Sequence, residues 1–325
     1  MSAGTVRGAD AREFVKAFNS ICQWNGNWER WNDMVHLFAI EIANSVDLNH
    51  KDERNKDYIR IAEKYKQEEF RKFADLLCLM VEALERNPFQ DFLGQMYMEL
   101  DMGSKAHGQC FTPFSVCQMM AGMSLPEEEV KAKIEQRGWI SLNDCACGAG
   151  ATLIAAAERL QQIGVNYQQS ALFVAQDLDS TVAMMCYIQL SLIGCAGRVR
   201  IGDTLLNPDN TDLLLGDGKP TTWYFPMLYS DIWAGRIFAR RMDMILGAAQ
   251  RAIPELGQPG MSENPPEEPK ALDGPKAAQA APKAEQEVPK PYQEPEIISG
   301  FGLKTVQKAR GRMSEGQLMF DLTGV

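Results

Sequence analysis

A glycine-rich turn that follows a short apolar strand carries the residues best suited to chemistry in this sequence. The turn runs from Asp144 to Gly150 with the sequence Asp-Cys-Ala-Cys-Gly-Ala-Gly. Glycine adopts positive φ without steric cost and lets the backbone approach a ligand closely. A strand ending in an acid, then a small-residue turn and a helix, is how doubly wound α/β folds build nucleotide pockets. The turn is therefore a candidate cofactor loop, with a purely structural corner as the alternative.

Two further acids end the next two predicted strands. Asp177 can accept hydrogen bonds from both ribose hydroxyls of a nucleotide, and Asp203 can accept one from an adenine amino group. Asp144 can face the ammonium group of S-adenosylmethionine. A helix cap or a strand-end turn is the structural alternative for each acid. Asp177 comes 27 residues after Gly150, beyond the roughly 20 of dinucleotide fingerprints, so an NAD enzyme is disfavoured.

The elements that position these acids alternate between strand and helix from about residue 110. This alternation predicts a parallel sheet with helices on both faces. Residues 10–105 have helical periodicity throughout, including a long helix from Ile59 to Leu84. The elements predicted for the α/β region are helices at 114–123, 126–137, 151–163, 180–193 and 230–251, and strands at 139–143, 172–176, 198–202 and 212–216.

Composition divides the chain further. The segment 254–296 contains ten of the sixteen prolines and almost no large apolar residues. Burial cannot offset the chain entropy of such a segment, which predicts a disordered linker. We therefore expect four regions: a helical N-terminal region at 1–105, an α/β domain at 106–253, the linker at 254–296 and a short tail at 297–325.

Charge and cysteine content limit the classes of function. A net charge of −10 argues against broad electrostatic capture of nucleic acid, so DNA binding needs a local basic face. The eight cysteines show no paired C-x-x-C spacing, which predicts reduced thiols and no metal site. No apolar run long enough for a membrane span and no signal-peptide core occur. We expect a soluble, cytoplasmic protein. The candidate basic face consists of Arg236, Arg240, Arg241 and Arg251, for which a solvated helix surface is the simpler interpretation.

Four segments in fixed order resemble the adenine-N6 DNA methylase family, particularly the methylation subunits of type I restriction-modification systems. They are Gly108-Gln-Cys-Phe-Thr-Pro113, the turn at Asp144–Gly150, the strand-end acid Asp177 and Gly202-Asp-Thr-Leu-Leu206. The similarity covers about residues 90–217. It implies a Rossmann-like, S-adenosylmethionine-dependent methyltransferase domain that methylates adenine in DNA, preceded by a helical N-terminal region.

The resemblance also assigns cofactor-binding roles. Phe111, Thr112 and Pro113 would flank S-adenosylmethionine, Asp144, Gly148 and Gly150 would form its loop, Asp177 would hold the ribose, and Asp203 would reach the adenine.

The acceptor side of the family's site matches less well. The family holds the amine of a flipped base with an Asn/Asp-Pro-Pro-Tyr/Phe motif after the fourth strand. Here Asp217 falls at the first motif position and Tyr224 offers a stacking ring, so both are candidate catalytic residues. The two prolines and the adjoining aromatic residue are missing. The alternative is a catalytically silent module that binds cofactor and acts through DNA, a methylase partner or a restriction system.

The region after Tyr224 predicts dependence on other proteins. Only about 30 residues separate it from the linker, too few for the remaining strands and a target-recognition domain. We therefore expect a truncated sheet, with sequence specificity that either comes from a separate specificity subunit or does not exist. Gln317-Leu-Met-Phe320 resembles peptides that dock on bacterial sliding clamps, and a tethered peptide raises effective concentration. A tail element packed on the domain is the alternative.

Overall fold

A computed structural model describes residues 6, 8–21, 26–100, 111–252, 312–314 and 317–319. The chain forms two units, residues 1–242 with 300–325, and residues 243–299. The predicted linker at 254–296, segment 108–110 and most of the tail lie outside the described residues. The four-region division therefore stays a prediction.

The described N-terminal residues form the predicted helices, with one correction. The helices are α1 (Gly8–Asn19), α2 (Asn27–Asn44), α3 (Lys51–Ala62), α4 (Gln67–Arg86) and α5 (Phe92–Glu99). The single helix predicted from Ile59 to Leu84 is wrong, because the chain turns between Ala62 and Gln67. Lys64 in this turn lies 2.9 Å from the Asp33 carboxylate, and the Tyr65 hydroxyl donates to the same buried carboxylate at 2.8 Å.

Aromatic side chains form the core of the helical region and join it to the α/β region. Trp31 is fully buried and meets the rings of Phe14 and Phe18 edge-on. From the same helix, Asn32 accepts a hydrogen bond of 2.7 Å from the Thr181 hydroxyl in the α/β region. The two regions share one continuous apolar core, which fixes the N-terminal helices to the α/β region.

The sheet has four strands among the described residues of the α/β region, in the order β1-β2-β3-β4. β1, β2 and β3 are parallel, and β4 is antiparallel to β3. A separate antiparallel pair, β5 and β6, forms in the tail. The strands are β1 (Ile140–Asp144), β2 (Ala171–Asp177), β3 (Ala196–Ile201), β4 (Thr222–Tyr224), β5 (Arg312–Ser314) and β6 (Gln317–Met319).

Helices lie on both sides of this sheet: Phe173 of β2 packs in the core that contains α8 and α10, and Leu172, on the opposite face, packs with Trp233 of the helix that follows β4. α8 and α10 form the parallel crossovers between its first three strands, as the alternation of elements predicts. The observed bounds are α6 (Phe114–Ser124), α7 (Glu127–Arg137), α8 (Ala151–Gln162), α9 (Tyr167–Ser170), α10 (Ser180–Leu192) and α11 (Asp231–Ala252).

The predicted fourth strand at 212–216 is wrong. The Asp212 carboxylate accepts hydrogen bonds from the backbone N–H groups of Leu214 and Leu215, at 3.0 and 3.2 Å, and winds the segment into turns. Arg198 donates to the Leu213 carbonyl at 2.7 Å. These bonds hold the apolar run as a loop, and β4 forms later in the chain and runs antiparallel. The sheet is therefore mixed rather than wholly parallel.

A buried ion pair fastens this loop to β3. Arg198 Nε donates to Asp209 Oδ2 at 2.8 Å, and the two side chains are 3% and 5% exposed. Burial alone would raise the pKa of Asp209. Hydrogen bonds from Arg198 and Thr211, together with the charge of Arg198, more than compensate and lower that pKa. Asp209 is therefore ionised and fixed when the loop is folded.

We expect Asp209→Ala to lower the free energy of unfolding by about 3 kcal/mol, because it leaves Arg198 buried without its partner. Urea denaturation followed by tryptophan fluorescence measures the change. The control is Asp57→Ala, which removes an exposed pair with Arg60 and should cost less than about 0.5 kcal/mol. Equal losses in the two variants would contradict the assigned role.

The same pair predicts how stability depends on pH. Because the folded-state pKa of Asp209 is depressed, its contribution is complete above the ordinary carboxyl pKa of about 4. That contribution disappears as the pH falls through the lower folded value. The stability difference between the wild type and Asp209→Ala should therefore be constant from pH 7 to about 5 and shrink below about 4. Repeating the urea titrations across this range checks it.

Candidate functional site

The glycine-rich turn connects β1 to α8 and requires glycine at two positions. Gly148 and Gly150 have φ of 51° and 94°, which disfavours any residue with a side chain. A Cβ atom on Gly150 would lie 2.9 Å from Cys186 Sγ, and one on Gly148 would lie 3.3 Å from the ring of Phe111. Gly150 therefore allows the loop to pack on α10, and Gly148 allows the Phe111 ring to approach the loop.

Asp177, the last residue of β2, holds the middle of this loop. The backbone N–H of Gly148 donates to Asp177 Oδ2 at 2.8 Å, and that of Asp179 donates to Oδ1 at 3.0 Å. A carboxylate has about four acceptor sites, so these two bonds leave capacity on both oxygens. One side chain can thus fix the loop and also receive hydroxyl donors from a ligand.

Asp144 and Asp203 both stabilise turns at strand ends, which is the structural alternative that the sequence left open for each acid. Asp144 accepts from the backbone N–H of Ala146 at 3.1 Å and from the Thr152 hydroxyl at the start of α8. Asp203 accepts from the backbone N–H groups of two leucines that follow it, at 2.8 and 3.1 Å. Thr204 then donates to the carbonyl of Cys145 at 2.6 Å. The turn after β3 is therefore attached to the cofactor loop.

A cavity of about 270 Å³ lies at the carboxyl ends of β1 and β2, the position at which α/β sheets bind ligands. Five of the eight predicted cofactor residues line it: Phe111, Thr112, Asp144, Gly148 and Asp177. Pro113, Gly150 and Asp203 lie outside this lining, the first two as N-caps of α6 and α8.

The cavity also contains residues that the motifs did not identify, among them Cys117, Thr152 and Val182. All three lie on helices that start beside a predicted motif. The hydroxyl of Thr152 could have been inferred from its place in the first helical turn after an acid-led loop. Among the described residues, the lining includes two carboxylates and no lysine, arginine or histidine, which favours a ligand with positive charge.

Gln189 supports the loop from behind. Its Nε2 donates to the Ala149 carbonyl at 2.8 Å and to Asp91 Oδ1 at 2.9 Å, and its Oε1 accepts from the Leu93 N–H at 2.9 Å. Gln189 is fully buried, and burial raises the pKa of Asp91 despite its hydrogen bonds. Sequence reasoning missed Gln189, although a glutamine within an otherwise apolar helix is a detectable signal.

The two candidate catalytic residues lie at the other end of the strand order. Asp217 Oδ1 accepts from the Thr222 hydroxyl at 2.7 Å, and the Tyr224 hydroxyl accepts from the Gly218 N–H at 3.0 Å. β4 is three strand spacings from β1, each about 4.8 Å. The structure thus brings Asp217 and Tyr224 near each other and not into the cavity lining. Their catalytic role stays a prediction.

Two arginines of the candidate basic face bind within the protein. Arg236 donates to the Gly138 carbonyl at 2.9 Å, and Arg240 donates to Asp212 Oδ2 at 2.8 Å. Arg241 is exposed, and nothing is described of the side chain of Arg251. Two of the four arginines of the candidate basic face therefore form contacts within the protein.

The described residues test three other expectations only in part, namely those on a metal site, a membrane span and the clamp-docking peptide. Within the described residues, no cluster of three or more histidine, cysteine or acidic side chains can hold a metal ion. The described helices include none that is both long and apolar enough to cross a bilayer. Gln317, Leu318 and Met319 form β6, whereas Phe320 of the predicted clamp-docking peptide lies outside the described residues.

Comparison with protein families gives a match to the family described as N-6 DNA Methylase over residues 89–220. The matched segment includes all eight predicted cofactor residues, Gln189 and Asp217, and it ends before β4. A comparison with curated proteins finds no match.

Gln189→Leu should release the cofactor loop from its support. The substitution leaves the Leu93 N–H, the Ala149 carbonyl and buried Asp91 short of a partner. At about 1–3 kcal/mol for each orphaned group, we expect a loss near 3 kcal/mol in the free energy of unfolding.

Hydrogen exchange provides the specific readout for this variant, because the Leu93 amide should exchange markedly faster. Gln162→Leu, at an exposed position of α8, is the control and should change stability by less than about 0.5 kcal/mol. Unchanged exchange at Leu93 would rule out the supporting role of Gln189.

Proposed function

We propose that this chain, whose residues 89–220 match the adenine-N6 DNA methylase family, binds S-adenosylmethionine for methyl transfer to adenine in DNA. The observation that carries the proposal is the cavity beside the cofactor loop. It lies at the carboxyl ends of β1 and β2, and Asp177 both shapes the loop and lines the cavity.

The charge of the cavity supports this cofactor over a dinucleotide. S-adenosylmethionine carries a positively charged sulfonium and an ammonium group, whereas NAD brings a pyrophosphate. Among the described residues of the lining, Asp144 and Asp177 are the carboxylic acids and none is basic. Carboxylates stabilise cations and repel phosphates, most strongly where solvent is partly excluded. An NAD enzyme is therefore the weaker alternative.

The proposed roles of the residues are those that the family resemblance implies. Asp177 would hold the ribose with its remaining acceptor sites, and Asp144 would face the ammonium group. Phe111, Thr112 and Pro113 would flank the cofactor, and Gly148 and Gly150 would let the backbone approach it. Asp203 would reach the adenine from the turn that Thr204 attaches to the loop. The cofactor supplies an electrophilic methyl group, and these residues orient it.

The groups that would hold the target adenine distinguish two versions of the proposal, an active methyltransferase and a silent cofactor-binding module. Transfer requires groups that hold the target amine in line with the methyl group, since positioning supplies much of the rate. Asp217 and Tyr224 are the candidates within the chain, and their bonds to Thr222 and Gly218 favour a role in shaping the turn before β4. The alternative function is a silent cofactor-binding module that acts through DNA, a methylase partner or a restriction system.

Partners are part of the proposal. The net charge of −10 and the engaged Arg236 and Arg240 favour a separate specificity subunit that contacts DNA. Docking of Gln317–Phe320 on a sliding clamp is a further proposal from the sequence, as is a soluble, cytoplasmic location.

Isothermal titration with S-adenosylmethionine tests cofactor binding. We expect Asp177→Asn to weaken binding by about 10- to 100-fold, because hydrogen bonds to a charged acceptor are worth about 1.5–3 kcal/mol. Asp179→Asn is the matched control: Asp179 caps α10, and asparagine caps a helix equally well. Equal affinities of the two variants would exclude Asp177 as a ligand-binding residue.

A tritiated-methyl assay on DNA then separates the two versions of the function. Transfer that is lost in Asp217→Ala would place Asp217 on the acceptor side. Binding without transfer by the chain alone would support a module that lacks the acceptor groups. Absence of binding by the wild type would contradict both versions.

A further inference from the structure

Helix α5 is connected to the cofactor site at both of its ends. At its start, the N-cap Asp91 accepts a hydrogen bond from Gln189, whose amide also donates to the Ala149 carbonyl in the loop. In its last turn, the ring of Tyr97 packs against the ring of Phe111, with the two ring centroids 5.3 Å apart. One short helix of the N-terminal region therefore contacts two separate parts of the site.

The start of α5 is fixed by a close approach at Gly94. The Asp91 carboxylate accepts from the Gly94 N–H at 3.0 Å, and a Cβ atom on Gly94 would overlap that carboxylate. Glycine inside a helix normally lowers stability relative to alanine. The space that the carboxylate needs explains why glycine occupies this position. α5 is thus held in one place relative to Gln189 and the loop.

The ring of Tyr97 is held between the helical core and Phe111. Tyr97 is 3% exposed, and its ring meets the indole of Trp31 edge-on with centroids 5.9 Å apart. Trp31 is itself fully buried. Because protein interiors are closely packed, the Tyr97 ring cannot move away from Phe111 without repacking this core. Tyr97 therefore presents a fixed surface to Phe111.

Phe111 depends on side-chain packing for its position. It lies in no helix or strand and precedes Pro113, the N-cap of α6, by two residues. Its ring lines the cavity, and a Cβ atom on Gly148 would lie 3.3 Å from that ring. The ring thus lies against the loop backbone and also against Tyr97. Tyr97 therefore determines where the Phe111 ring stands relative to the cavity.

From these contacts, and resting on the proposed function, we propose that Tyr97 is a positioning residue for S-adenosylmethionine, because it holds the Phe111 ring against the cofactor loop before the cofactor binds. The described residues before Phe111 contribute nothing to the cavity lining, so Tyr97 acts through Phe111 and not by touching the ligand. Without an aromatic ring at position 97, Phe111 spends part of its time away from the loop. The apparent affinity then falls in proportion to the competent fraction.

Isothermal titration of the full chain with S-adenosylmethionine tests this role. Tyr97→Met removes the ring but fills the space with a flexible apolar side chain. We expect it to weaken binding by about 3- to 10-fold, the range that one aromatic pair supplies. Tyr97→Leu is a second ring-free variant with the same expected effect, should the methionine variant fail to fold. Tyr97→Phe keeps the ring and should restore wild-type affinity.

Tyr167→Met is the matched control. Tyr167 is also 3% exposed and meets Phe89 edge-on, with ring centroids 5.9 Å apart, and it lies outside the cavity lining. Its loss removes a comparable buried ring without touching Phe111, so the affinity should equal that of the wild type. An equal loss of affinity in Tyr167→Met and Tyr97→Met would overturn the proposal, since general destabilisation would then explain both.

A double-mutant cycle tests whether Tyr97 acts through Phe111. Phe111→Leu removes the ring that Tyr97 holds, so adding Tyr97→Met to it should weaken binding little further. If the losses of the two single variants multiply in the double variant, Tyr97 acts independently of Phe111 and the proposal is wrong.

The wild-type titration keeps the two failures apart. Absence of S-adenosylmethionine binding by the wild-type chain would overturn both the proposed function and this inference. Wild-type binding that both Tyr97→Met and Tyr97→Leu leave unchanged would contradict this inference alone.

Discussion

The bond from the Gly148 N–H to the Asp177 carboxylate is the constraint on which the site depends. It joins the end of β2 to the middle of the loop that follows β1, at 2.8 Å. The carboxylate is thereby held at the cavity with acceptor capacity remaining. The charge that shapes the loop is also the charge that a cationic nucleoside ligand would meet.

The helical region is connected to this loop through the buried hydrogen bonds of Gln189. Gln189 joins the loop carbonyl at Ala149 to Asp91, the N-cap of α5. Loop, crossover helix and N-terminal helices are therefore fixed to one another through buried polar groups, whose loss is costly in a low-dielectric interior. The outer side of β1 has no comparable support among the described residues. The loop is rigid toward the helical region and open toward the edge of the sheet.

Short sequence patterns predicted the strands whose formation depends on residues that are neighbours in the chain. β1, β2 and β3 were predictable because each is a short apolar run that ends at an acid. The segment 212–216 has the same pattern, but Arg198 and the Asp212 cap hold it as a loop. The helix break at 63–66 and the role of Gln189 likewise depend on residues far apart in the chain. The order of the motifs was enough to propose the eight cofactor candidates. The position of Asp217 near β4 could not be predicted, because it depends on the order of the strands in the sheet.

Hydrogen exchange on the full chain, with and without saturating S-adenosylmethionine, tests the central claim most directly. If Asp177 and the glycine loop form the cofactor site, the cofactor will slow exchange at residues 144–152 and 177–179. It will leave residues 212–224 unchanged, and NAD will slow exchange in neither segment. Unchanged exchange in the loop at saturating S-adenosylmethionine, or equal slowing by NAD, would contradict the account.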